Sequence, residues 1–171
     1  MSITDYISIL DSNTESVLQT VKNISAEQLS FSKDGRWSIL QVLEHICITE
    51  YSVCRLLAKP SDIISDADEI IGKEKMQRRV VGGRSYKLSA PERLLPKGDI
   101  TDAAAFEKRF TEQRDALKQY LLSGKIAVDN RVFKHMVIGD MTITDWLYFL
   151  VYHTERHADQ VRDLVKEGVE L

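Results

Sequence analysis

Apolar residues recur at three- and four-residue spacing over four long stretches of the chain, and each stretch predicts an amphipathic helix. The first covers about Ile3 to Asn23, with Ile7, Leu10, Val17, Leu18 and Val21 on one stripe. The second follows Trp37, with Ser38 as N-cap and Gln41 as its capping-box partner, and stops near Ala58, ahead of Pro60. The third covers about Asp102 to Leu122, with Thr101 as N-cap and Gly124 just past the end. The fourth opens with the capping-box pattern of Thr142 to Asp145, runs to Lys166 and is closed by Gly168. Another box, Ser25 to Gln28, predicts one short turn.

Four long helices in one chain predict an all-α four-helix bundle, a single domain over residues 1–171. The connections are unequal. From Pro60 to Ile100 the chain is too long for a structureless loop, so "DADEIIGKEKMQRRV" is expected to supply another helical piece, followed by an extended crossover. The bundle therefore has one long crossover between its second and third helices.

Composition narrows the function classes. The chain is 43% hydrophobic and carries a net charge of -3, which gives no electrostatic footprint for nucleic acid. The basic cluster Lys73–Arg79 is interrupted by Glu74 and reads as a solvated face. The longest apolar run, Trp146–Tyr152, is far too short for a membrane span. The N-terminus, with Asp5 and Asp11 and no basic start, does not read as a signal peptide. Cys47 and Cys54 stand seven apart on one expected helix, about 10 Å along its axis, too far for a disulfide. Free thiols point to a reducing, cytoplasmic setting.

Candidate chemistry lies in the histidines. His153 and His157, in "YHTERHADQ", are four apart and project from one helix face, the spacing of two ligands on one ion. Trp146, Leu150, Gln160 and Leu164 extend that face, so the pair is expected to point into the bundle. A zinc-protease helix is excluded, because Thr154 stands where such a helix places its glutamate. Glu155 is rotated by about 200° from His153, and a surface role with a basic partner at i+4 is expected for it. His45 sits on a polar strip with Gln41, Thr49 and Ser52, and offers a third imidazole. Three histidines satisfy a first-row metal and leave room for water or substrate; the alternative is three imidazoles satisfied by hydrogen bonds in the core. His135 reads as a turn or packing residue. Glu44 and Glu50 are the carboxylates nearest His45, and neither follows as a general base from spacing.

"WSILQVLEHICITE", "HMVIGDMTITDW" and "HTERHADQV" together resemble the DinB-like superfamily, which includes the YfiT-like metal-dependent hydrolases. The resemblance spans nearly the whole chain, and its three-histidine constellation is its specific part. It departs at Met136, where proline is common, and at Asp145, where glutamate is frequent. The resemblance implies a four-helix bundle and places the family's metal-binding histidines on His45, His153 and His157. Arg156 and Gln160 occupy matching positions of the last motif; Gln160, one turn beyond His157, is placed to orient a ligand or substrate, and Arg156, off that face, is expected to support the site from behind or to serve an interface. It further implies a divalent ion, zinc or nickel, and often a homodimer. Relatives include transferases that use low-molecular-weight thiols, so a metal-dependent transferase or hydrolase of a small molecule is expected, with thiol S-transfer as the specific reaction. The competing expectation is a non-catalytic stress-response or binding protein whose metal only braces the bundle.

Overall fold

The computed structural model describes residues 2–83 and 90–169. Among these residues six α-helices carry the fold: α1 (Ile3–Val21), α2 (Ala26–Ser30), α3 (Ile39–Leu57), α4 (Lys73–Val80), α5 (Ala103–Leu122) and α6 (Ile143–Val169). A 3-10 turn, Glu92–Leu94, precedes α5, and an antiparallel hairpin of β1 (Val132–His135) and β2 (Gly139–Thr142) precedes α6. The four long helices α1, α3, α5 and α6 form a four-helix bundle.

Local chemistry fixes the helix ends. Ser25 and Ser38 each accept a hydrogen bond from the backbone three residues on, at Gln28 and Gln41, whose side chains bond back. Thr142 and Asp145 exchange the same pair of bonds at the start of α6. Several ends differ from the sequence expectation. Asp102, not Thr101, caps α5, because its carboxylate reaches Ala105 N–H at 2.7 Å. α1 stops at Val21, and α6 continues through Gly168, so that glycine does not close it. Of the predicted helical piece in the crossover, only Lys73–Val80 is helical.

The core has two apolar clusters. One joins Tyr6 and Leu10 to Val53, Leu57, Leu117, Leu121 and Leu147; the other joins Val17, Val42, Ile46, Phe110, Ala158 and Val161. Chain direction follows from these groupings. The first cluster takes the starts of α1 and α6 and the ends of α3 and α5, so α1 and α6 run one way and α3 and α5 the other. Two sequential bundle helices that run parallel, α3 and α5, need a connection that returns along the bundle, which is why residues 58–102 are so long.

Between the clusters each long helix contributes one polar residue: Asn13, Glu50, Arg114 and Thr154. Arg114 Nε lies 2.9 Å from Glu50 Oε2, its Nη1 donates to Asn13 Oδ1, and its Nη2 donates to Thr154 Oγ1. This layer ties all four helices on the bundle axis. It also shows which face of α6 is central: Leu147, Leu150, Thr154, Ala158 and Val161.

Two buried carboxylates fasten the crossover. Asp145 accepts from the consecutive amides of Ile70, Ile71 and Gly72. Glu44 does the same for Lys97, Gly98 and Asp99. The crossover also adds an edge to the hairpin, with Val132 N–H donating to Ile63 O and Ser65 N–H to Asn130 O.

Candidate metal centre

α3 and α6, packed antiparallel, bring His45 against the α6 pair. Ring centroids lie 5.2 Å apart for His45 and His153, 4.9 Å for His45 and His157, and 4.5 Å for His153 and His157. One nitrogen from each ring lies within 4.8 Å of the other two, making the only such His/Cys/Asp/Glu cluster among the described residues. The pair points inward, off the bundle axis. Thr154 faces the axis, and His153 and His157 flank it in the seam with α3.

Two of the three rings are oriented from behind. His45 Nδ1 donates to the carbonyl of Leu94 at 2.8 Å, and His157 Nδ1 bonds Gln160 Oε1 at 2.8 Å. Both contacts place the proton on Nδ1 and leave the Nε2 lone pair for a ligand, the arrangement that fixes metal-binding histidines. Burial holds His45 below the ordinary imidazole range against the opposing Leu94 bond. Burial holds His153 well below it, helped by the neighbouring His157, His45, Arg156 and His135. Neutral imidazoles are the form that binds metal. Convergent nitrogens, fixed tautomers and neutral rings fit a divalent ion preferring nitrogen donors, as zinc and nickel do.

His135 is built the opposite way. At the end of β1 its Nδ1 accepts from Val137 and Ile138 N–H, both at 3.1 Å, so its proton sits on Nε2. The ring packs on Trp146 and Phe149, as a packing residue should. Arg156 donates to Val80 O, holding the end of α4 onto α6. Glu155 is away from the cluster, in a groove of about 510 Å³ between α1, α4 and α6, lined also by Tyr148, Tyr152 and Lys73. Its expected i+4 partner position is occupied by Asp159, and burial, helped by that carboxylate, raises the Glu155 carboxyl. Trp37 packs against His45 with the rings tilted and their centroids 5.0 Å apart. Burial pushes the Cys47 and Cys54 thiols up to about 12, so neither is a nucleophile near neutral pH. The Leu94 carbonyl and the Glu44 clamp were invisible to pattern reading, since each joins residues about fifty positions apart. The only hint was the polar strip on α3.

A family model described as the DinB superfamily matches residues 9–161. The uncharacterized protein YuaE of Bacillus subtilis (strain 168) is 27% identical over 151 residues, covering 88% of this chain and 90% of that protein. Among solved structures, YfiT from Bacillus subtilis is described as a probable metal-dependent hydrolase with an unusual four-helix bundle topology. It superposes with a TM-score of 0.62 at 16% identity, over 98% of this chain and 90% of that one. At that identity the likeness is one of fold. No helix among the described residues is long and apolar enough to cross a membrane.

Proposed function

The chain belongs to the DinB superfamily, and we propose that it is a metal-dependent enzyme acting on a small molecule, with transfer to or from a thiol as its reaction. The observation that carries the reading is the convergence of His45, His153 and His157 within 4.8 Å, with two rings locked by Leu94 and Gln160. A divalent ion held there, zinc or nickel, would supply Lewis acidity and deprotonate a coordinating thiol outright.

The surrounding carboxylates favour thiol transfer over hydrolysis. A metal-bound water ionises near neutral pH by itself, but hydrolysis also calls for a side chain to pass its proton to the leaving group, and the three carboxylates Glu44, Glu50 and Asp145 are committed elsewhere. Glu44 holds three amides, Glu50 faces Arg114, and Asp145 holds the other end of the crossover. A thiol, with a free pKa near 8.5, needs no base once it meets a cation. The chain's own cysteines are too buried to serve, so the thiol would come from outside as a low-molecular-weight cosubstrate.

The test is a screen of small thiols against electrophilic substrates, with and without added zinc or nickel. Metal-dependent conjugation that disappears in His153→Ala supports the proposal. A silent screen with metal bound and the fold intact refutes the thiol reaction. A second reading has its own observation: His45 links α3, α6 and the crossover, so a metal there would also brace the bundle. That role alone predicts a lower melting temperature on metal removal and no turnover.

A further inference from the structure

Thr49 stands one turn beyond His45 on α3, rotated from it by about 40°, so its side chain faces the same seam. It is buried, at 3% exposure, and its hydroxyl has no hydrogen-bond partner. Several helical hydroxyls here turn back onto the carbonyl four residues earlier: Ser8 to Thr4, Thr14 to Leu10, Ser52 to Ile48 and Thr154 to Leu150. Such a bond satisfies the donor at little cost. Thr49 forgoes it, and a buried donor left unmade is destabilising.

The antiparallel packing says where the hydroxyl lies. Arg36, before α3, pairs with Glu167, and Glu50 meets Thr154 through Arg114. Advancing along α3 therefore means descending α6, which sets Thr49 at the level of His153. His153 itself has no hydrogen bond among the described residues, whereas the other two ligand candidates each have one from behind. A buried unpaired donor and a candidate ligand with no hydrogen bond of its own thus lie at one level of the seam.

We infer that the Thr49 hydroxyl is a positioning group for the non-protein ligand of the three-histidine centre, donating a hydrogen bond to an anionic oxygen, nitrogen or sulfur atom held beside His153. The inference rests on the metal reading above and adds its ligand class: a compact anion, which a thiolate satisfies and a neutral amine does not. The hydroxyl stays unmade in the ligand-free fold and is satisfied on binding, so stability is given up for recognition.

Cobalt(II) loaded into the wild-type chain, Thr49→Val and Thr49→Ser, followed by azide titration on the cobalt absorption bands, tests this. Thr49→Val should bind azide about tenfold more weakly, the worth of one hydrogen bond to a charged group. Cobalt affinity should be unchanged, and Thr49→Ser should restore azide binding. The metal-free Thr49→Val chain should also melt at a higher temperature than wild type, the reverse of a purely structural threonine. Equal azide affinity in all three cobalt-loaded proteins overturns the inference and leaves the metal centre standing. Failure of the wild type to take up cobalt overturns both. Should Thr49→Val not fold, Thr49→Ala supplies the same comparison.

Discussion

His45 donates from Nδ1 to the carbonyl oxygen of Leu94 at 2.8 Å, so one hydrogen bond joins the middle of the bundle to the far end of the crossover. Leu94 is held in place a few residues on, where the amides of Lys97, Gly98 and Asp99 converge on Glu44, the neighbour of His45. One helical turn thus carries both a candidate ligand and the carboxylate that secures its orienting partner.

Removing that carboxylate should loosen the metal site without touching a ligand. Glu44→Ala is expected to weaken zinc binding by about tenfold, the usual cost of losing an orienting partner. Competition titration against a chelating dye measures it. Gln160→Ala, which removes the Gln160 bond to His157 Nδ1, should have an effect of the same order, while circular dichroism stays unchanged for both.

Asp145 does the corresponding work at the other end. It is fully buried and serves three crossover amides as well as Thr142. Asp145→Ala strands those donors and should destabilise the fold by roughly 2–4 kcal/mol, read by urea unfolding.

The Glu50–Arg114 pair is 1% exposed on each side, so its members should behave very differently alone and together. Arg114→Met leaves a buried, unpaired carboxylate and should cost about 3–5 kcal/mol. The double change to Glu50→Gln with Arg114→Met should recover much of that loss. A double-mutant cycle by chemical unfolding checks it.

Much of this was legible in the residues, and the physical reason differs by feature. The helices announced themselves through period and caps: Ser38 with Gln41, and Thr142 with Asp145, form the bonds that the pattern implies. The histidine pair was legible because His153 and His157 share a helix face by geometry alone, whereas His45 joined it through the polar strip on α3 and the family resemblance. The hairpin was not, since four-residue strands are too short to show a period, and His135 read only as a turn or packing residue. Nor was the second use of Asp145, where a capping carboxylate also binds amides more than seventy positions away. The polar layer was hidden for a similar reason. Asn13, Glu50, Arg114 and Thr154 each look like a flaw in an apolar stripe until four helices are packed together.

Stability of the metal-free chain should depend on pH through its histidines. Burial lowers His45, His153 and His135 in the fold, so near and below pH 6.5 the unfolded chain binds protons that the folded chain does not. Their contribution is present above the unfolded value and lost as pH falls toward the folded ones. Urea unfolding at pH 8 and pH 5.5 should show the drop, and His153→Leu should make it shallower.

Whether the three histidines hold a metal decides the function of the site. Elemental analysis of protein purified without a histidine tag, followed by zinc and nickel titration of the chelator-stripped chain, measures this directly. One equivalent per chain is expected, with binding lost in His45→Ala, His153→Ala and His157→Ala while their helical content persists. A wild-type chain that carries no stoichiometric metal and gains none on titration would contradict it.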